Sequence, residues 1–215
     1  LTAKRPEQLL ESAHQLLTAI GGQADHLLAD RMECHRYFRR LLPEGGLYRA
    51  MGLVLRNGDV FCSSTIGSSS ASINVKDRFY FRMAVEHGKF IVGEYQVGRV
   101  TGSSGINFSF PVKDADGHLQ AVVFAGLNID TFIEQGESRR ESQRSAISRV
   151  VTILDRNNVV LAQYPGGRAR PGEKYPNPRV VEALSRPGNS LFAVADQEGV
   201  SRLYAVENVG MNPDG

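Results

Sequence analysis

The sequence has no long apolar run and no excess of charge of either sign. No stretch approaches the ~20 consecutive apolar residues that a membrane-spanning helix requires, so no segment is predicted to cross a bilayer. The net charge is +2 and the basic residues are scattered, which argues against a nucleic-acid partner. A hydrophobic content of 41% is enough for a real core. The 215 residues therefore predict one large or two small globular domains.

Catalytic and cofactor-binding motifs are also lacking. There is no phosphate-binding loop and no dinucleotide fingerprint after a predicted strand. The segment Gly102–Gly105 does not have the spacing of a nucleophile elbow. We therefore expect a binding function rather than an enzymatic one for this chain, with no cofactor and no metal.

The two cysteines, Cys34 and Cys62, lack the paired short spacing of a zinc site. Cys34 lies near the end of a helical pattern and Cys62 lies in a strand-like run. Two interpretations are open: a disulfide, which would require an oxidising compartment, or two small buried thiols.

The strongest local pattern is at the N-terminus. Apolar residues recur at intervals of three and four between Pro6 and Pro43, which predicts a single long amphipathic helix over residues 1–42. Such a helix would be roughly 50 Å long, with a bend allowed at Gly21-Gly22. A helix of this length must lie along two packed units or along a partner helix.

Residues 43–134 have the pattern of an α+β module of the PAS kind, with five antiparallel strands and a covering helix. The Asn57-Gly58 turn predicts a hairpin. Asp77 is the expected N-cap of a short helix that Gly88 ends. The predicted strands are Tyr48–Leu55, Val60–Ser63, Phe90–Val97, Ile106–Val112 and Leu119–Ile129, and the short helix is Arg78–Glu86.

A polar linker, residues 135–149, is followed by a second and smaller unit over residues 150–215. The order of its predicted elements repeats that of the first, which indicates a structural duplication. No further strand or helix is predicted after Arg202–Val206, and the chain begins with Leu1. We expect a piece of a longer protein whose second module is cut short.

Polar residues interleave with apolar ones in the strands of the first module. Asn107 and Ser109 share one face of their strand, and Asn128 shares a face of the next with Phe124 and Gly126. Buried polar groups need partners, so this pattern predicts either a ligand pocket or internal pairing, for example of Arg78 with Asp77 or Glu94. An arginine in such a pocket would suit a carboxylate. The candidate lining residues are Arg78, Tyr80, Phe81, Tyr95, Arg99, Asn107, Ser109 and Asn128.

Four stretches of the first module resemble the double Cache family of bacterial extracytoplasmic sensor domains: residues 77–81, 93–102, 108–117 and 125–130. The resemblance covers nearly the whole chain and implies a long helix, a membrane-distal module and a membrane-proximal module. It also implies a Cys34–Cys62 disulfide and a ligand site in the distal module. In amino-acid-binding members, an Arg-x-Trp-Tyr stretch corresponds to Arg78, Tyr80 and Phe81, and an aspartate corresponds to Asn128. Because an amide cannot pair with an ammonium as a carboxylate does, we expect a carboxylate or another small polar metabolite.

The resemblance further implies a periplasmic domain of an inner-membrane signal transducer, between two transmembrane helices. The expected output is a histidine kinase, with a diguanylate cyclase, phosphodiesterase or chemoreceptor as alternatives, and signalling would run through the long helix. The alternative function is a ligand-free structural or protein-interaction module, in which the N-terminal helix would form the seam of a homodimer.

Overall fold

The computed structural model describes residues 4–65, 73–99, 101–131, 150–164, 169–186, 188, 190–195 and 201–207. The predicted linker 135–149 lies outside these ranges.

The helices include α1 (Lys4–Gly21), α2 (Ala24–Ala29), α3 (Arg31–Leu41), α4 (Phe79–His87) and α5 (Pro178–Leu184). The strands are β1 (Tyr48–Leu55), β2 (Val60–Ser63), β3 (Ile91–Val92), β4 (Gln96–Val97), β5 (Ser104–Gly105), β6 (Asn107–Lys113), β7 (Leu119–Leu127), β8 (Val151–Leu154), β9 (Val160–Tyr164), β10 (Ser190–Ala195) and β11 (Ser201–Val206).

The N-terminal segment is helical, but the prediction of one continuous helix is wrong. The chain interrupts the helix at Gly22-Gln23, where a bend was expected, and again at Asp30, where none was expected. Asp30 has an extended backbone, and its side chain accepts hydrogen bonds from the backbone N–H groups of Met32 and Glu33. Asp30 therefore starts α3 as an N-cap, which is the usual role of aspartate at this position. No described helix is both long and apolar enough to span a membrane.

The first module is built on a five-stranded antiparallel sheet with the strand order β2-β1-β7-β6-β3. β7 lies at its centre, and its residues alternate between the two faces. Ala121, Val123 and Ala125 are buried against the N-terminal helices, and Val122 and Phe124 are buried against α4. Helices thus cover both faces of the sheet, which explains why β7 is almost continuously apolar.

The apolar stripe of α1 packs on the chain's own sheet. Ala13, Leu17 and Ile20 are almost completely buried in the same cluster as Phe108 and Val123. His14 extends this contact, because its ring lies 4.9 Å from that of Phe90. These residues of α1 are therefore covered within one chain, and a homodimer through the N-terminal helices stays a prediction.

Two local predictions in the first module are wrong. The expected strand Phe90–Val97 is interrupted, because the chain leaves the sheet edge after Val92 and pairs again only as β4 with β5. Asp77 does not cap α4; the N-cap position is Arg78, and the Asp77 carboxylate binds Arg99 instead. The end of α4 is as predicted, since Gly88 has the left-handed conformation of a helix C-cap.

The second unit repeats the first hairpin in its backbone hydrogen bonds. Leu55 N–H donates to the Asp59 carbonyl, and Asp155 N–H donates to that of Val159 in the same way. The isolated bridges Asp59–Asn74 and Val159–Lys174 also correspond. Positive φ angles occur at Gly58 (91°) and at Asn158 (60°), the matching turn positions. The duplication inferred from the order of elements is thus present at the level of individual bonds.

Cys34 and Cys62 form a disulfide, as the family resemblance implied. It joins α3 to β2, with 5.9 Å between the Cα atoms and 28 residues of sequence separation. The neighbouring His35 is buried, and its Nδ1 lies 2.8 Å from the Ser63 carbonyl oxygen. The helix and the edge strand are therefore joined by a covalent bond and an adjacent hydrogen bond.

Candidate ligand pocket

A cleft lies in the first module between the α4 face of the sheet and the β4–β5 hairpin. Its volume is about 40 Å³, which is room for roughly three water molecules or a solute of similar size. The sheet contributes apolar surface, and the hairpin contributes hydroxyl and backbone groups. The lining residues are Arg49, Ala50, Val75, Arg78, Tyr80, Gln96, Gly98, Arg99, Thr101, Ser103, Ser104, Gly105, Ile106, Asn107, Phe124, Gly126 and Leu127.

Four of the eight candidate residues line this cleft: Arg78, Tyr80, Arg99 and Asn107. Arg78 is half-buried at the start of α4, and its Nη2 donates to the Val97 carbonyl at 3.1 Å. Tyr80 is buried, and its ring centroid is 6.1 Å from that of Phe124. Burial raises the pKa of the Tyr80 hydroxyl to about 12, and a side-chain hydrogen bond from Asn107 partly opposes this increase.

Arg99 is held in an ion pair. Its guanidinium binds both carboxylate oxygens of Asp77, at 2.5 and 2.8 Å, and also donates to the Asn74 carbonyl at 2.7 Å. The hydrogen bond from Arg99 holds the pKa of the Asp77 carboxyl below its usual range. Internal pairing of Arg78 with Asp77 or Glu94 was the alternative to a ligand pocket; the Asp77 carboxylate binds Arg99 instead, so the charge of Arg99 is already compensated.

The other four candidates do not line the cleft. Phe81 is buried in the core beneath α4, and the Ser109 hydroxyl donates to the Tyr80 carbonyl at 2.8 Å. The Asn128 side-chain oxygen accepts from Arg49. Tyr95 faces the second module: its backbone N–H donates to the Asp155 carboxylate at 3.0 Å, and its ring lies against Gly172. These residues satisfy internal contacts, the alternative to ligand binding that the sequence left open.

Arg49 lines the cleft but was not predicted. In a regular strand its side chain would share the face of Met51, which packs on the N-terminal helices. The pairing of β1 with β7 shifts between Tyr48 and Ala50, so Arg49 is the extra residue of a β-bulge. Bulges re-aim side chains. The guanidinium of Arg49 consequently reaches the Ser104 carbonyl at 3.0 Å and the Asn128 Oδ1 atom at 3.1 Å.

The electrostatic character of the cleft is cationic. Three arginines line it, and no aspartate or glutamate is among the described residues that do so. The first turn of α4, which begins at the cleft, also contains no acidic residue. Such a wall suits a negatively charged group, because guanidinium groups bind carboxylates through paired hydrogen bonds.

No protein-family model and no curated protein matches the sequence. Solved structures do resemble it. The extracellular domain of rpHK1S-Z16, assigned as a histidine kinase, is 14% identical, with a TM-score of 0.69 over 96% of this chain and 89% of that chain. The ligand-binding domain of the Pseudomonas aeruginosa PAO1 amino acid chemoreceptor PctC, solved with GABA, is 17% identical, with a TM-score of 0.55 and coverages of 95% and 92%. The periplasmic sensory domain of the Campylobacter jejuni chemoreceptor Tlp1 is 9% identical, with a TM-score of 0.61 and coverages of 95% and 85%.

The chain has the fold of these sensor domains. The α+β architecture predicted from the sequence is thereby confirmed: N-terminal helices, a first module with a five-stranded antiparallel sheet and a smaller second unit. Within this sensor fold, the cleft lies in the first module, where the double Cache resemblance placed the ligand site.

Proposed function

We propose that this chain is the extracytoplasmic sensor domain of a bacterial membrane-bound signal transducer, and that it binds a small carboxylate or another small polar metabolite in the cleft of the first module. The observation that carries this proposal is the cationic lining, with Arg78, Tyr80 and Asn107 beside one another on the cleft wall. The sensor fold supports it, since relatives include the ligand-binding domain of a chemoreceptor solved with GABA.

The resemblance to sensor domains supports a periplasmic location in an inner-membrane protein with flanking transmembrane helices, and a histidine kinase as the output. The buried Cys34–Cys62 disulfide is compatible with this location, because disulfides persist in oxidising compartments. In this proposal Arg78 holds the anionic group of the ligand, and Tyr80 and Asn107 contact the remainder.

The test is a thermal-shift screen of the purified chain against small carboxylates, amines, amino acids and nucleobases. A ligand at 100 times its dissociation constant stabilises the folded state by about 2.7 kcal/mol, which corresponds to roughly 5–10 °C in melting temperature for a chain of this size. Arg78→Ala should abolish the shift while leaving the unliganded protein folded.

The exposed Arg56, in the turn after β1, provides the matched control. Arg56→Ala removes the same charge at a distance from the cleft and should leave the thermal shift unchanged. If no compound stabilises the wild-type chain, the ligand-free structural or interaction module becomes the better account.

A further inference from the structure

We propose that Arg49 is a ligand-contacting residue that determines specificity, and that with Arg78 it restricts the cleft to small acids that have no amino group. This inference rests on the proposed function and deepens it. It depends on the bulge that aims Arg49 into the cleft and on the partners that each arginine has.

The charge of Arg49 has only weak compensation. Its side chain is 26% exposed, and two of its hydrogen-bond partners, the Ser104 carbonyl and the Asn128 amide oxygen, are neutral. The Asp130 carboxylate lies 3.6 Å away but is 81% exposed, so solvent screens its attraction. A ligand carboxylate in the cleft would be a stronger acceptor than these neutral oxygens, because it carries the opposite charge and can accept two parallel hydrogen bonds from one guanidinium.

Arg78 likewise binds a neutral acceptor, in this case on β4, the other strand of the β4–β5 hairpin. It donates to the carbonyl of Val97, and Val97 is the direct cross-strand partner of Ser104, to which Arg49 donates. The two guanidinium groups therefore bind the two members of one cross-strand pair, and both line the cleft. An anion between them could accept hydrogen bonds from both, whereas Arg99 is already neutralised by Asp77.

An amino group would meet no uncommitted carboxylate among the described residues that line the cleft, because Asp77 and Asp130 lie outside the lining and are paired with Arg99 and Arg49. No described lining residue is a carboxylate, and the Asn128 oxygen already accepts from Arg49. An ammonium would lose water on entry and lie close to cationic side chains, and both effects are unfavourable. The small volume of the cleft favours a small acid.

The experiment is isothermal titration of the purified chain with pairs of compounds that differ in one amino group: propionate and alanine, butyrate and GABA, succinate and aspartate. We expect binding of at least one acid and at least a tenfold weaker affinity for its amino counterpart. Arg49→Gln should weaken the acid at least tenfold, which is the effect of losing one charged hydrogen bond.

A second variant keeps Arg49 but tests whether its charge must be available to the ligand. Asn128→Asp is nearly isosteric and would pair the Arg49 charge, so it should also weaken the acid, whereas Arg56→Gln should not. Circular dichroism and the melting temperature of each unliganded variant check that it folds. If an acid binds wild type and both variants equally, or if amino compounds bind as well as acids, this inference is wrong and the proposed function stands. If none of these compounds binds the wild-type chain, this inference is wrong, and the wider thermal-shift screen decides the proposed function.

Discussion

At the residue scale, the sequence could predict the part of the cleft that follows strand alternation and element order. Asn107 and Phe124 face α4 as the two-residue period requires, and Arg78 and Tyr80 reach the cleft from the start of that helix. The sequence could not predict Arg49, since only a bulge places it on this face. Nor could it show that Ser109 is satisfied internally, because its acceptor is a backbone carbonyl brought close by packing.

The buried hydroxyl of Tyr80 gives a pH-dependent prediction. Its pKa is about 12 in the folded chain and 10.0 when exposed, so the folded state retains this proton to higher pH than the unfolded state does. The contribution of Tyr80 to the free energy of unfolding is therefore complete below pH 10 and declines between pH 10 and 12. At pH 11.5 the loss should be about 2 kcal/mol.

Urea unfolding of wild type and Tyr80→Phe at pH 9 and pH 11.5 measures this effect. The other tyrosines are common to both proteins. The difference in the free energy of unfolding between wild type and Tyr80→Phe therefore changes with pH only through Tyr80. We expect the stability advantage of wild type over Tyr80→Phe to decrease at the higher pH. Parallel pH profiles would show that the hydroxyl is not in the buried environment described here.

At the scale of elements, the periodic patterns of the sequence predicted most helices and strands correctly, but they did not predict where two of these elements are interrupted. The hairpin of β1 and β2, β6, β7 and the helix ending at Gly88 all occur where expected. The N-terminal helix is divided because the Asp30 side chain caps α3, a local bond that competes with continuation of the helix. Where the strand after Phe90 is divided, the backbone N–H of Tyr95 donates to Asp155 of the second module, a tertiary contact that sequence periodicity does not contain.

The disulfide between α3 and β2 should be a major stabilising link of the first module. In the chain-entropy model, removing a crosslink that closes a loop of this length lowers the free energy of unfolding by about 3–4 kcal/mol. We expect the double variant Cys34→Ala/Cys62→Ala to lose this amount in chemical denaturation.

A reducing agent supplies the control for the disulfide. Dithiothreitol should lower the midpoint of wild-type unfolding and leave that of the double variant unchanged. A wild-type midpoint that does not respond to complete reduction, verified by thiol titration, would contradict a stabilising role for this bond.

At the scale of the whole molecule, residues 92–97, from the end of β3 to the end of β4, connect the cleft to the second unit. Arg78 binds the Val97 carbonyl on the cleft side of this segment. On the other side Asp155 binds the Tyr95 N–H, and Arg156 donates to the Val92 carbonyl at 2.7 Å. The two units are thus joined through residues that flank Gln96 of the cleft wall, in addition to the apolar core that Leu161 shares with the N-terminal helices.

Arg156 tests the importance of this contact. Its guanidinium lies 4.6 Å from the ring centroid of Phe79, so Arg156→Ala removes a cation–π contact together with the hydrogen bond to Val92. We expect a loss of roughly 1–2 kcal/mol in the free energy of unfolding. Arg56 occupies the equivalent turn position of the first unit and is exposed, so Arg56→Ala should change stability by less than about 0.5 kcal/mol. Equal melting temperatures for the two variants in calorimetry would contradict a contribution from Arg156.

The most direct test of the central claim is a crystal structure of the chain with the tightest-binding acid from the titrations. We expect electron density for the acid in the cleft of the first module, with its carboxylate within hydrogen-bonding distance of Arg78 and Arg49. An acid bound in the second unit, or one bound in the cleft without contact to either arginine, would contradict it.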